Sequence, residues 1–284
     1  MIPESIPDRM LKIALIGCGE VGLAYARHLL ARNVALTVVD PAAPPPDLPL
    51  RFERSLPAEP VDVILAPVPL AVSAQVAAQA YASCKGALYI DMSSSPRERM
   101  REAAAADWRD DFVDAAIMGS VTLTGAETPM LLAGARAQEA AALLNGLGLV
   151  AEALPDSAPG DAGAVKLLRS IITKGLEALA VEAFLTAERI GLSSALKANL
   201  DDISAYRFPD FLETLLRTHV LHARRRSAEV AAALDQISSN GADSTVTRAV
   251  LARFQRTAGA LGETPALPAD LAGALAILAA PADA

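Results

Sequence analysis

An apolar strand that runs straight into G-x-G-x-x-G and then into a helical pattern constrains this chain more than any other feature: Lys12-Ile-Ala-Leu-Ile-Gly17-Cys18-Gly19-Glu20-Val21-Gly22. In such a unit the first glycine permits a tight turn, the second lets backbone N–H groups approach a pyrophosphate, and the third lets the helix pack close to the strand. The helix N-terminus then faces the anion with unpaired N–H groups and the positive end of its dipole. Small residues also serve ordinary strand-to-helix turns, so context decides. That context is a second strand, 35–40, ending in Asp40, 23 positions after Gly17, where ~20 is the spacing of the carboxylate that binds an adenosine ribose. A carboxylate there accepts hydrogen bonds from both ribose hydroxyls and repels a 2′-phosphate, which favours NAD over NADP. Asp40 can also simply open the turn into Pro41. Arg51 and Arg54 follow closely enough to reach a phosphate, so NADP stays open.

Up to about residue 155 the pattern alternates. Strands are expected at 11–16, 35–40, 61–66, 87–92, 112–117 and 129–133, with helices at 20–32, 70–83 and 96–106. Alternation of this kind implies an α/β fold with a parallel, doubly wound sheet of the Rossmann type. The proline-rich segment 41–49 reads as a stiff surface loop. After Pro159-Gly160 the strand signal stops and helical periodicity takes over at 162–191, 194–204, 209–237, 244–260 and 268–279, with Asp243-Ser244 as an N-cap and Pro209 at a first helical position. The expected organisation is a dinucleotide-binding domain at 1–160 and an all-helical domain at 161–284, without internal repeats.

A chain of 284 residues with 52% hydrophobic content can bury the cores of two domains. Its net charge is −8 and its basic residues are scattered apart from Arg224-Arg225-Arg226, which argues against a nucleic-acid partner or a polybasic membrane patch. The two cysteines, Cys18 and Cys84, fit a reducing compartment without a disulfide framework. Met1 to Arg9 lacks the apolar core of a secretory leader, and no uninterrupted apolar run is long enough to cross a bilayer. The expectation is a cytoplasmic protein.

On the long helix that opens the second domain, Lys166, Arg169, Ser170, Thr173 and Glu177 fall on one face, while Leu168, Ile171, Ile172 and Leu179 occupy the other. This stripe is either the wet side of an amphipathic helix or the wall of a substrate cleft. Four segments, taken in order, resemble the β-hydroxyacid dehydrogenase and 6-phosphogluconate dehydrogenase superfamily. They are Gly17-Cys-Gly-Glu-Val-Gly22; Asp91-Met-Ser-Ser-Ser-Pro96, similar to D-x-S-T-x-x-P but one residue shorter; Val113-Asp-Ala-Ala-Ile-Met-Gly-Ser120, similar to D-A-P-V-S-G-G; and Gly160-Asp-Ala-Gly-Ala-Val-Lys166-Leu-Leu-Arg169-Ser170, similar to G-x-G-x-x-x-K-x-x-N. The resemblance implies a Rossmann domain joined to a helical domain by one long helix. It places Lys166 at the catalytic lysine and the cofactor contacts at Gly17, Gly19, Glu20, Val21, Gly22, Asp40, Val68, Pro69 and Ser93. Substrate contacts are expected from Ser93, Ser94, Met118, Gly119, Ser120, Arg169, Ser170 and His219.

A neutral amine at Lys166 would take the hydroxyl proton as hydride leaves the carbinol carbon, and the ammonium would return it in the reverse direction. Because a free lysine is too protonated to act as a base at neutral pH, the site must lower its pKa by roughly 2–3 units. Arg169 departs from the superfamily's asparagine, Met118 from the serine of S-G-G and Ser120 from its last glycine. A guanidinium at 169 can clamp an anionic substrate group bidentately, or pair with Glu177 or Asp161 instead. The cluster Thr218-His219-Val-Leu-His222-Ala-Arg224-Arg225-Arg226 with Glu229 resembles a stretch found in one branch of the superfamily. Its two histidines lack further ligands, and no metal is expected. The apolar, alanine-rich helices point to a homodimer through the helical domain, as the resemblance also implies. The reading that follows is a dehydrogenase that transfers hydride between NAD and a small hydroxyacid, with imine reduction or non-catalytic dinucleotide sensing as alternatives.

Overall fold

A computed structural model describes residues 10–57, 59–104, 110–261 and 265–279. The segment Met1 to Arg9, read above for a leader, lies outside the described residues, as do the last two positions of the expected helix 96–106. The chain divides into two compact units, Met1–Ser170 and Ile171–Ala284.

The first unit is built on one sheet of eight strands: β1 (Leu11–Ile16), β2 (Val34–Val39), β3 (Arg51–Glu53), β4 (Val63–Ala66), β5 (Leu88–Asp91), β6 (Phe112–Ile117), β7 (Met130–Ala133) and β8 (Ala151–Ala153). Their spatial order is β3-β2-β1-β4-β5-β6-β7-β8. Helices α1 (Glu20–Leu30), α2 (Leu70–Ser83), α3 (Arg97–Ala103), α4 (Val121–Thr124) and α5 (Ala137–Gly146) connect them. The central strands are apolar on both faces because both faces are covered. Ile13 and Leu15 of β1 pack with Tyr25 and Leu29 of α1 and Leu144 of α5. Ala14 and Ile16, pointing the other way, pack with Ala77 and Ala80 of α2 and Met100 of α3. Ile13, Leu15, Ile64, Leu65 and Ile90 are at most 1% exposed. Burying each such side chain stabilises by about 1.5–3 kcal/mol, which makes the sheet centre a rigid floor beneath the strand ends. The order changes direction between β1 and β4, and the crevice at the carboxyl ends of these strands is where such sheets bind ligands.

One expectation is corrected. β1 to β6 pair in parallel, but β7 runs antiparallel to β6, with Asp114 opposite Ala133 and Ile117 opposite Met130. The connection 118–129 carries only the four-residue α4 and the 3-10 turn Gly125–Glu127. At 1.5 Å per residue α4 spans about 6 Å, far less than the ~20 Å length of a six-residue strand, so the chain turns back instead of crossing over. α5 is long enough, and β8 returns parallel to β7.

The second unit is helical: the body of α6 (Asp161–Arg189), then α7 (Ser193–Ala198), the 3-10 turn Asp201–Ala205, α8 (Phe208–Ser239), α9 (Thr245–Ala260) and α10 (Leu271–Ala279). α8 starts at Phe208, so Pro209 stands second in its first turn, one position past the expected first helical position. At α9 the capping differs from expectation. Ser244 sits at the N-cap but makes no side-chain cap, Asp243 accepts from the Thr245 amide at 3.1 Å, and the principal cap comes from 62 residues upstream. The buried carboxylate of Glu182 accepts from the amides of Val246 (2.6 Å) and Thr247 (3.0 Å) and from the Thr247 hydroxyl (2.7 Å). Along α6, Ile171, Val181 and Leu185 remain more than half exposed in the single chain. Among the described residues no helix is long and apolar enough to cross a membrane.

Candidate active site

β1 ends at Ile16, and the backbone then takes the turn that only glycine adopts without strain: Gly17 has φ +107°, and its amide donates to the Val39 carbonyl at 2.8 Å. A Cβ at Gly17 would stand 2.9 Å from the Pro67 carbonyl oxygen, and one at Gly22 would stand 1.9 Å from the Gly17 carbonyl oxygen. Both glycines therefore permit backbone contact. Gly19 is different, because a Cβ there would meet nothing within 4 Å; its open side faces the cleft. α1 starts at Glu20 with Gly19 as N-cap and no side-chain cap, leaving its first-turn amides available to an anion. Glu20 turns aside to accept from the Thr122 hydroxyl.

Asp40 lies just past β2, and its carboxylate is already engaged. Oδ2 accepts from the Cys18 amide at 2.8 Å, and Oδ1 accepts from the amides of Ala42 (2.9 Å) and Ala43 (2.7 Å). Burial pushes this carboxyl up, but the amides of Ala43, Cys18 and Ala42 and the Arg54 guanidinium outweigh it, so Asp40 stays ionised below its ordinary value. A carboxylate has about four lone-pair positions, and three are used. One acceptor position on Oδ2 remains for a ribose, fewer than a free carboxylate would offer. Arg54 lies across Phe52 and donates to the carbonyls of Asp40 (3.2 Å) and Ala43 (2.5 Å). Beside Asp40 a cavity of about 690 Å³ opens between Val72, Val76, Leu56 and Arg54.

The other end of the cleft is held by the start of α6. Asp114, fully buried on β6, accepts from the amides of Gly160 and Gly163 at 3.0 Å each. Gly163 is required for this approach, since a Cβ there would lie 2.9 Å from the Ser95 carbonyl oxygen. One turn further on, the Lys166 amine donates to Ser94 Oγ at 2.6 Å. Burial lowers the Lys166 pKa from its ordinary value, and the Asp114 charge works against that. Asp114 pairs in register with Asp91 on β5, which is also fully buried. Burial raises the Asp91 carboxyl, while Ser93 and Ser73 hold it down.

These parts meet in one cleft of about 680 Å³ in the first unit, lined by Gly17, Gly19, Glu20, Val21, Asp40, Val68, Pro69, Ser93, Ser94, Gly119 and Lys166 among the expected residues. Thr122, Met92 and Ile117 also line it and were not anticipated. Ser93 is 3% exposed, and its hydroxyl donates to Asp91 at 2.6 Å and pairs with Ser95 at 2.9 Å. Its hydroxyl is therefore committed to the wall. The remaining candidates lie elsewhere. Gly22 sits beneath the turn. Met118 packs against the cluster formed by Ala116, Ala133 and Ala162. Ser120 sits at the N-cap position of α4 without a side-chain cap, Arg169 is exposed, and Ser170 Oγ donates to the Lys166 carbonyl at 2.9 Å. His219, in the helical unit, bonds through Nε2 to Thr257 Oγ1 at 2.9 Å and packs against Phe254 in a tilted contact, with ring centroids 4.6 Å apart. Arg225 is paired with Glu229, and Arg224 reaches the Ala258 carbonyl at 3.4 Å.

A sheet of this order with a glycine turn at its switch point, followed by a helical region, defines the fold of the 3-hydroxyacid dehydrogenase-like proteins. Comparison with known proteins agrees. Residues 187–257 match a domain of unknown function, DUF1932. A conserved hypothetical protein from Sinorhizobium meliloti 1021 is 28% identical, with 95% of this chain and 96% of that chain covered and a TM-score of 0.58. A second conserved protein of unknown function, its structure described as similar to 3-hydroxyacid dehydrogenases, is 27% identical over 87% of this chain and 98% of its own, with a TM-score of 0.59. An imine reductase variant from Myxococcus stipitatus in complex with NAD+ shares the fold at a TM-score of 0.74 and 19% identity, covering 95% and 100% of the two chains. A 28.5 kDa protein of Methanothermus fervidus is 29% identical over 159 residues, which span 56% of this chain and 61% of that protein. Together these findings show the fold of the 3-hydroxyacid dehydrogenase-like proteins, which the imine reductases share.

Proposed function

We infer that this chain is an NAD(P)-dependent oxidoreductase that moves a hydride at the hydroxyl-bearing carbon of a small hydroxyacid, with Lys166 as general acid and base. The observation that carries this reading is that a half-buried amine and an uncapped glycine turn line one cleft. The open side of Gly19 and the first-turn amides of α1 suit a pyrophosphate, and the cavity between Val72, Val76 and Arg54 suits an adenine. When bound, the nicotinamide accepts or supplies the hydride. In oxidation the neutral Lys166 amine takes the hydroxyl proton, and in reduction the ammonium gives it to the carbonyl oxygen. Ser94 holds the amine at the cleft wall until substrate displaces it. Gly119 and the backbone of Ser93 and Ser94 are the candidates for the substrate's acid group, with Arg169 as an anion clamp if it turns inward. The exposed apolar side chains of α6 support a homodimer through the helical unit, and two free cysteines suit a reducing cytoplasm.

The imine reductase likeness supports C=N reduction as a second reading. A screen of small hydroxyacids and cyclic imines with NAD and NADP separates the two. Lys166→Ala is expected to abolish turnover of the hydroxyacid and leave dinucleotide affinity unchanged; undiminished turnover would remove the catalytic role.

A further inference from the structure

Asp114 lies deep beneath the cleft and touches no part of its surface, yet it meets Lys166 in two physical ways. The first is mechanical. Its Oδ2 collects the amides of Gly160 and Gly163 at 3.0 Å each, which fixes the first turn of α6 to strand β6. Gly163 and Lys166 are three residues apart, so they share a helix face. The face tied to Asp114 is therefore the face that presents the amine. The second is electrostatic. Among the described residues, Asp114 is the charged group that acts on Lys166 against the effect of its burial. The carboxylate sits in a setting that resists ionisation: it is fully buried, Asp91 pairs with it from β5, and its Oδ1 has no hydrogen-bond partner. Other charges at this corner are Asp161 on α6, bonded to Arg97 of α3 at 2.6 Å, and Arg101 at 3.9 Å from the same carboxylate. Those groups already pair with one another at the surface.

We propose that Asp114 is the positioning residue for Lys166: its buried carboxylate sets both the rotation of the helix that carries the amine and the charge that the amine meets. The inference rests on the reading of Lys166 as the proton-transfer group. It goes further by making the pH window of the reaction a property of a side chain that never contacts substrate. An ionised carboxylate beneath the site keeps Lys166 protonated to higher pH, and so sets where the neutral amine becomes available.

The test uses the full chain and two variants. Asp114→Asn removes the charge and keeps an acceptor oxygen for the two amides; Asp114→Ala removes both. After reductive ¹³C-methylation, the lysines, five in this sequence, are titrated by NMR, with the Lys166 signal assigned from its loss in Lys166→Ala. Asp114→Asn is expected to shift the Lys166 titration to lower pH. The rising limb of hydroxyacid oxidation moves in the same direction, and kcat changes more than KM. Asp114→Ala is expected to lose most of kcat in addition, because the helix turn is no longer held. If Asp114→Ala does not fold, the asparagine variant alone decides. An unchanged Lys166 titration in Asp114→Asn overturns the proposal. A shifted titration in a protein that turns over no hydroxyacid upholds it and overturns the hydroxyacid reading instead.

Discussion

Replacing Asp114 by asparagine also has a consequence for folding, and its size follows from the geometry. Burial is the largest influence on this carboxyl; the Gly163, Gly160 and Ala162 amides oppose it and Asp91 reinforces it, and the balance lifts the carboxyl from 3.8 to about 6. A group whose pKa is higher in the folded state binds its proton more tightly there than in the unfolded chain. Stability therefore falls as pH rises from 3.8 towards 6, and the contribution is level above that. A rise of this size is worth about 3 kcal/mol. Asparagine has no proton to lose, so the stability of the wild type minus that of the variant should drop by about 3 kcal/mol between about pH 3 and about pH 7. Groups remote from residue 114 are common to both proteins and cancel, while Asp91 and Lys166, which feel the Asp114 charge, contribute to the difference. Because a chain with two compact units need not unfold in one step, the assay is urea unfolding read by amide exchange on β5 and β6. A difference that stays constant with pH would refute the assignment of a destabilising buried charge.

Four further outcomes are expected. Gly19→Ala should fold normally, because nothing lies within 4 Å of the added methyl, and should bind dinucleotide at least about tenfold more weakly if one amide–phosphate hydrogen bond is lost; calorimetric titration checks this. Gly22→Ala should lower Tm instead, since a Cβ 1.9 Å from a backbone oxygen forces a shift costing about 1–3 kcal/mol or more. Asp40→Ala should weaken NAD more than NADP in fluorescence titrations, and equal weakening would remove its role in ribose recognition. Glu182→Ala should leave two α9 amides without their acceptor, at about 1–3 kcal/mol each. Burial pushes the Glu182 carboxyl up, but the Thr247 hydroxyl and the Val246 and Thr247 amides pull it below its ordinary value of 4.5. Its contribution to stability is thus present at neutral pH and lost in acid, so thermal melts of wild type and variant should converge as pH falls below the carboxylate range.

Local chemistry made part of this structure legible. The turn from β1 through Gly22 and the helix 70–83 are where the residues placed them, because glycine stereochemistry and helical periodicity act over a few positions. β3 and β8 escaped notice because a three-residue edge strand carries too few side chains to show alternation. The reversal at β7 depends on how much helix fits between residues 118 and 129, and α5 was missed because its alanines carry little periodic contrast. At the site, the glycine turn declared itself through spacing, whereas Lys166 stood out only through the family resemblance of the segment 160–170. Asp91 and Asp114 stood inside recognised segments, but their pairing is a matter of strand register and burial, which no neighbouring residue encodes. The engagement of Asp40 by three backbone amides was equally invisible, since it depends on how the segment after Pro41 folds back.

That engagement has a mechanical consequence. One carboxylate staples the glycine turn, through the Cys18 amide, to the start of the proline segment, through Ala42 and Ala43. A ribose that engages Asp40 through both hydroxyls needs two acceptor positions where one remains, so it competes with one of these amides, and occupancy at the nucleoside end changes the grip on the turn that faces the phosphates. The two halves of a dinucleotide then do not bind as independent fragments: affinities measured separately for an adenosine piece and a phosphate-bearing piece should not sum to that of the whole, and the discrepancy should vanish once the staple is cut at residue 40.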